Sequence, residues 1–301
     1  MGNNKGNADA IIVLREMFNK FFRVPFNPNQ LIYHYTTMTT LQSILHNKEL
    51  WLSKADYMND FTELQYFGTF MKKLIDEGRI KASQEIKDFV LAILNEFFVN
   101  ERMANENSLF VLSLSQNPDS LALWYNYATN EGCNIGINTD TLSDLLMSRT
   151  SSGLGQWTGK VIYEPAIQMQ ICKYIVQCIH DLVQTDKVDI INSHRTISSI
   201  FLAAACFIKD PVFKLEEEFR MVIFTTEAIE KLAVKFRVAR GSFIPYITFP
   251  IVTDDDKLII DQITIGPRIS IDTAEKGLEY YKKINNLTNI KIVKSDAPLR
   301  F

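Results

Sequence analysis

The sequence predicts an α+β fold in which helices pack against a mixed or mainly antiparallel β-sheet. Three observations lead to this prediction. Short segments rich in β-branched and aromatic residues, which are typical of strands, recur along the chain. Longer segments between them place apolar residues at helical spacing, as in Ile171, Ile175 and Ile179. Glycine and proline are sparse, and neither a repeat nor a linker is evident.

The predicted organisation is an N-terminal helical segment over residues 1–30, followed by a single α+β domain over residues 31–301. Helical insertions in that domain are predicted near 61–98 and 166–207, because apolar residues recur there at helical spacing over long stretches. These insertions supply much of the predicted core.

The domain is predicted to open with a strand, a short helix and a second strand. Leu31–Thr36 is the first strand, and Thr39 with Gln42 forms a capping box for the helix. Leu50–Ser53 is the second strand. The polar segment that follows it, Lys54–Glu63, is predicted to form the rim of a cleft.

The remaining elements follow from the same two periodicities. Further helices are predicted over Phe61–Glu77, Ser83–Phe98, Ser120–Ala128, Ala166–Val183 and Arg195–Phe207. Further strands are predicted over Leu109–Ser113, Cys133–Asn138, Gly159–Tyr163, Phe219–Phe224, Val234–Val238, Ile244–Phe249, Leu258–Ile265 and Ile290–Val293.

Composition narrows the class of protein. The 32 basic and 35 acidic side chains give a net charge of -3, so charge provides no argument for nucleic-acid binding. The four cysteines lie in apolar surroundings without a CxxC pair, which predicts reduced core residues. The sequence shows neither an apolar leader nor a membrane-spanning stretch, which predicts a cytoplasmic protein without membrane insertion.

Polar and aromatic residues lie within the first predicted strand and at the end of the second. His34 stands inside the first strand, next to Tyr35, and a lone strand histidine is more often structural than catalytic. Ser53 ends the second strand, and Tyr57 and Asn59-Asp60 follow it. Turn or capping chemistry explains Asn59-Asp60 equally well.

An acidic run, Glu216-Glu217-Glu218, leads into a predicted apolar strand. If strand alternation already holds there, Glu216, Glu218 and Arg220 share one face. A solvated sheet edge is the alternative interpretation. Against it, the Arg220 guanidinium is placed to hold Glu218 in its ionised form through a charge-assisted hydrogen bond.

Other catalytic signatures do not occur. The sequence contains no P-loop, GxGxxG, HExxH or GxSxG motif. His180 and His194 lack metal-ligand spacing, so no metal site is predicted.

The order of these motifs resembles the bacterial domain-of-unknown-function family 2971. The resemblance rests on His34-Tyr35, Leu50–Ser53 with Asn59-Asp60, Trp124–Gly132, Lys209–Arg220 and Ser295–Arg300, and it covers the chain from about Leu31 to its end.

The same order is similar, more distantly, to the ADP-ribosyltransferase fold, in which a strand histidine precedes a late Glu-x-Glu. This resemblance implies an ADP-ribosyltransferase-like β core with helical insertions, and NAD as a substrate without a metal. It implies Glu218 as the catalytic glutamate and Glu216 as its acceptor-facing companion. The residues it implies at the cofactor are His34, Tyr35, Ser53, Tyr57 and Arg220, with either tyrosine stacking on nicotinamide.

The implied function is transfer of ADP-ribose to a protein or nucleic-acid acceptor, as in a toxin or an anti-phage effector with an antitoxin or defence-system partner. Two alternatives stay open. One is a sensor module that binds NAD or a nucleotide without turnover. The other is a metal-dependent nuclease or hydrolase that gathers Asp56, Asp60, Glu216 and Glu218 around Mg²⁺.

Overall fold

Strands and helices alternate through most of the chain. The computed structural model describes residues 12–24, 27, 30–58, 63–96, 108–128, 131–149, 154–184, 194–225, 233–239 and 241–298. The strands are β1 (Leu31–Thr37), β2 (Glu49–Lys54), β3 (Ser108–Ser115), β4 (Gly132–Asn138), β5 (Leu154–Lys160), β6 (Glu218–Thr225), β7 (Lys235–Ala239), β8 (Ser242–Pro250), β9 (Ile260–Ile265) and β10 (Lys291–Lys294). The helices are α1 (Met38–Asn47), α2 (Glu63–Asp76), α3 (Gln84–Leu94), α4 (Leu121–Tyr127), α5 (Thr139–Ser148), α6 (Pro165–Gln184), α7 (His194–Phe207) and α8 (Ile271–Ile284).

The predicted α+β class with a mixed sheet is confirmed. Among the described residues, the strand order is β10-β9-β4-β1-β3-β2-β8-β7, and β6 pairs with β3 and β5. The β9–β10 pair is parallel, whereas β1–β4, β4–β9, β2–β8 and β7–β8 are antiparallel. Strand β3 has three partner strands, so the sheet branches at β3.

Most predicted strands are confirmed within one or two residues, and β5 is the exception. The sequence predicts a strand over Gly159–Tyr163, whereas β5 covers Leu154–Lys160. The apolar run after Lys160 is buried without continuing the strand, apart from an isolated bridge between Ile162 and Ile208. A Cβ at Gly155 would lie 1.7 Å from the Phe224 ring, so a larger residue there would require that ring to move. β-propensity alone therefore does not locate this strand.

The start of α1 also differs from the prediction. Thr37, not Thr39, is the N-cap, and its Oγ1 accepts a hydrogen bond from the Thr40 backbone N–H at 3.2 Å. The reason is that β1 runs on to Thr37, which still pairs with Gly132. Helices α5 and α8 were not predicted, although Asn138 caps α5 by accepting hydrogen bonds from two backbone N–H groups.

The chain divides into two compact units. The sheet unit lies within residues 25–55, 110–156 and 215–301, and the helical unit lies within 1–24, 56–109 and 157–214. The predicted helical insertions thus fall in the same unit as residues 12–24 of the predicted N-terminal segment. No helix among the described residues is both long and apolar enough to cross a membrane.

Each unit has its own apolar core. In the sheet unit, the central strand β4 is buried along nearly its whole length, with Cys133, Ile135 and Ile137 inaccessible to solvent. In the helical unit, the end of α7 is buried, and Phe207 packs edge-on against Phe18 with ring centroids 5.1 Å apart. The described part of the N-terminal segment therefore contributes to the helical core.

Candidate functional site

His34 lies on β1, beside the part of β3 where the pairing partner of β3 changes from β2 to β1. Near its end, β3 pairs with β1 through Ser115 and Tyr33. Four residues earlier, Val111 pairs instead with Ser53 of β2. His34 follows Tyr33 on β1, so it lies where β3 passes from one partner to the other.

The His34 side chain is fixed by a backbone carbonyl. Its Nδ1 lies 3.3 Å from the Ser113 carbonyl oxygen, an arrangement in which a neutral imidazole donates through Nδ1–H and keeps Nε2 as an acceptor. Burial lowers the pKa of His34, the Ser113 carbonyl raises it, and the charge of Arg237 lowers it further. A lowered pKa favours the neutral imidazole at pH 7. Its Nε2 makes no hydrogen bond within the described residues.

Arg237 links this histidine to the second predicted site strand. Its Nη2 donates to Ser53 Oγ at 2.9 Å, and its guanidinium carbon lies 5.9 Å from the centre of the Trp51 ring. Trp51 in turn stacks on Tyr246, with centroids 4.4 Å apart, and its Nε1 donates to Glu49 Oε1. These contacts give β2, β7 and β8 a common polar and aromatic surface that includes Ser53.

Glu218 and Arg220 form a buried ion pair on β6. The Arg220 Nε donates to Glu218 Oε1 at 2.7 Å, and Nη2 donates to Oε2 at 2.8 Å. Two residues apart on a strand, they share a face, as the sequence predicts. Their exposed fractions are 4% for Glu218 and 1% for Arg220. The predicted ion pair is confirmed, and such a bidentate contact favours the carboxylate form.

Glu216 and Glu217 differ from Glu218 in backbone and exposure. The predicted alternation does not extend back to Glu216, because Glu216 ends a 3₁₀ turn (Pro211–Glu216) and Glu217 has a left-handed backbone with φ of 43°. The Glu216 carboxylate is partly exposed and lies 3.4 Å from the Tyr127 hydroxyl. The exposed Glu217 accepts from Asn117 Nδ2 at 2.7 Å.

Tyr35 belongs to the packing of the sheet unit. Its side chain is 8% exposed, and its ring meets Trp124 edge-on at 4.7 Å. Its hydroxyl donates to the Asn117 carbonyl at 2.8 Å and accepts from the Ser120 N–H at 2.9 Å. Burial, its largest influence, raises the Tyr35 pKa. These contacts hold the segment before α4 in place.

Asp119 connects the Trp124 motif to the C-terminal Ser295 motif through hydrogen bonds. Its carboxylate accepts from the Trp124 indole N–H, from the Ser295 hydroxyl and, at 2.7 Å, from the Asp296 backbone N–H. Trp124 and Ser295 therefore meet at one carboxylate, although they belong to motifs that lie far apart in the sequence.

The remaining predicted residues fall elsewhere. Tyr57 closes the 3₁₀ turn Ala55–Tyr57 in the helical unit and is 45% exposed, and its stacking role stays a prediction. Asn59 and Asp60 lie outside the described residues. In the described ranges, no group of three or more His, Cys, Asp or Glu side chains could hold a metal ion.

Arg237 thus donates a hydrogen bond to Ser53 and exerts its charge on His34, and Glu218 pairs with Arg220 on another strand of the same unit. Sequence reasoning missed Arg237. The available signal was the alternation of Lys235 and Arg237 with Phe236 and Val238, which predicts a charged face on this strand.

Comparisons with known proteins identify one similar solved structure and assign no family to this chain. No family model matches the chain, and no curated protein matches it. A similar solved structure is DarT from Thermus sp. 2.9 in complex with ADP-ribosylated single-stranded DNA. It shares 11% identity with this chain, covers 91% of this chain and 97% of its own, and gives a TM-score of 0.33. The resemblance to family 2971 stays a prediction from the motifs.

Proposed function

We propose that this chain is an NAD-dependent ADP-ribosyltransferase with Glu218 as its catalytic carboxylate. The observation that carries the proposal is the Glu218 carboxyl group at the first residue of β6, which accepts two hydrogen bonds from the Arg220 guanidinium. His34, Ser53 and Arg237 in the same unit supply the polar groups that the cofactor requires.

The chemistry needs a fixed negative charge. The bond between ribose C1′ and the nicotinamide nitrogen breaks, the electron pair goes to that nitrogen, and neutral nicotinamide leaves. The ribose becomes oxocarbenium-like, so a carboxylate beside it stabilises charge that develops only in the transition state. A nucleophilic atom of the acceptor then bonds to C1′, and its proton passes to a nearby base. We assign that base to Glu216, which is partly exposed.

Neutral His34 suits the binding of ribose. Its Nε2 would accept a hydrogen bond from a ribose hydroxyl, which a protonated imidazole could not do. Arg237 holds Ser53 Oγ at 2.9 Å and its charge helps to keep His34 neutral, so we assign Arg237 a positioning role. The proposed acceptor is a protein or a nucleic acid, and the proposed role is that of a toxin or anti-phage effector.

A binding module without turnover is the second candidate, and the burial of Glu218 favours it. Both carboxylate oxygens already accept hydrogen bonds from Arg220, and only 4% of the residue is exposed. A carboxylate in this state serves as a structural ion pair as readily as it serves a reaction. The two candidates differ in one measurable step, the release of nicotinamide.

The test combines NAD titration by calorimetry with chromatographic detection of nicotinamide. We expect the wild-type chain to bind NAD and release nicotinamide, and Glu218→Gln to slow the release at least about 100-fold while binding persists. Glu216→Gln should keep NAD cleavage and lose transfer to the acceptor. Glu217→Gln is the matched control, because it removes one exposed carboxylate from the same run and should change neither step.

Three outcomes separate the candidates. Binding without release in the wild-type chain identifies the binding module. Release that Glu218→Gln leaves unchanged removes the catalytic assignment. Absence of both binding and release refutes the proposal as a whole. Circular dichroism of each variant checks that the chain is folded under the assay conditions.

A further inference from the structure

A cleft of about 520 Å³ is lined by described residues of the helical unit. One wall is the loop between α2 and α3, and the other is a face of α6. Its polar lining residues are Arg79, Lys81, Ser83, Lys173, Gln177 and His180. None of the described lining residues is an aspartate or glutamate.

The backbone of the loop between α2 and α3 places Arg79 and Lys81 at the cleft. Helix α2 is followed by Gly78, whose φ of 67° suits glycine, and the Arg79 N–H then donates to the Leu74 carbonyl at 2.9 Å. Ile80 is buried and anchors the loop, whereas its neighbours Arg79 and Lys81 remain exposed. The anchored isoleucine therefore keeps both cations at the cleft.

The facing wall is one stripe of α6. Lys173, Gln177 and His180 are spaced by four and three residues, so they lie on one side of the helix. Val176 beside them is buried and fixes the orientation of this stripe. Two separate segments thus bring cationic side chains to the same cleft.

The positive charge of the cleft is only partly balanced. Arg79 Nη1 lies 3.5 Å from Glu77, and His180 Nδ1 lies 3.4 Å from Asp181. Lys81 and Lys173 have no carboxylate within 4 Å among the described residues. Gathering cations costs repulsion energy, and a bound anion would offset it.

We propose that this cleft binds a phosphate group, supplied either by a free phosphate compound or by a nucleic-acid strand. Lys81 and Lys173 supply charge from the two walls, Arg79 offers planar donors, and Gln177 offers a neutral amide. This inference goes beyond the proposed function, because no step of NAD cleavage uses these residues.

The experiment measures binding of two probes to the full chain: inorganic phosphate by calorimetry, and a labelled single-stranded oligonucleotide by fluorescence anisotropy. The test variant is Lys81→Gln with Lys173→Gln. The matched control is Lys276→Gln with Lys283→Gln on α8, two exposed lysines outside the cleft. Each double variant removes two positive charges and lowers the net charge from -3 to -5.

We expect Lys81→Gln with Lys173→Gln to weaken the binding of whichever probe binds the wild-type chain about tenfold. The control, Lys276→Gln with Lys283→Gln, should weaken that binding less than about twofold. Phosphate binding without oligonucleotide binding identifies a free phosphate compound as the ligand. Oligonucleotide binding that phosphate displaces identifies a strand. The proposal is overturned if neither probe binds, or if both double variants lose binding equally, because nonspecific charge would then explain the binding. Nicotinamide release should stay unchanged in both variants.

Discussion

Removing one partner of the Glu218–Arg220 pair should destabilise the sheet unit far more than removing both. The pair is almost inaccessible to solvent, with two hydrogen bonds of 2.7 and 2.8 Å. Glu218→Met leaves the Arg220 guanidinium buried without its carboxylate. Removing one member of a buried ion pair costs about 3–5 kcal/mol of unfolding free energy. This is a large part of the roughly 5–15 kcal/mol that stabilises a typical protein.

The double variant tests the cause. With Arg220→Met added to Glu218→Met, two apolar side chains replace the pair, and no buried charge remains. We expect most of the loss to be recovered, because replacing both members of a buried pair is often nearly neutral. The coupling between the two substitutions should therefore be a few kcal/mol.

Urea unfolding followed by circular dichroism measures these changes. With a slope of about 2 kcal/mol per M, each single variant should lower the midpoint by roughly 2 M. The exposed pair Lys72–Asp76, with both side chains 55% exposed, is the control, and Lys72→Met should cost less than about 0.5 kcal/mol. If the losses at Glu218 and Arg220 are additive, or smaller than about 1 kcal/mol each, the pair does not stabilise the unit in this way.

Two further predictions concern titration and thiol chemistry. Burial lowers the pKa of His34 below its ordinary 6.5, so the unfolded chain binds the proton more readily. Stability should therefore be fully present above pH 6.5 and fall as pH drops below it, and His34→Gln should flatten this decrease in urea midpoint. An equal decrease in the variant would contradict that assignment. Burial also raises the pKa of Cys133 and Cys172 to about 12, so iodoacetamide at about pH 8 should leave these thiols unmodified in the native protein, as mass spectrometry would detect. Rapid labelling of either thiol before unfolding would show that it is not buried.

Part of the fold could be predicted because its causes are local. Alternation of apolar and polar residues located most strands, and helical spacing located the long helices α6 and α7. The same alternation predicted that Glu218 and Arg220 share a face, which their bidentate contact confirms. It failed at Glu216, because a 3₁₀ turn and a left-handed residue precede the strand.

The prediction that the cysteines are reduced core residues is confirmed at three of the four positions, and Cys178 is only half-buried. All four are free thiols, and Cys133, Cys172 and Cys206 are buried. Their apolar neighbours in the sequence were sufficient, because a small apolar side chain within an apolar run is buried in nearly any packing of that run. The alternation could not say, however, which strands would become neighbours.

Contacts between distant residues required the tertiary structure. Arg237 and Ser53 are 184 positions apart, and Asp119 and Ser295 are 176 positions apart. No local periodicity links such residues, since their meeting depends on the order of the strands in the sheet and on where β3 branches.

The sequence by itself determined the α+β class, most element positions and the Glu218–Arg220 pair, because these depend on neighbours a few residues away. Only the tertiary structure decided that burial lowers the pKa of His34, that Tyr35 packs against Trp124, and that the helical insertions share a compact unit with the N-terminal helix. These features depend on burial and charge supplied by distant parts of the chain.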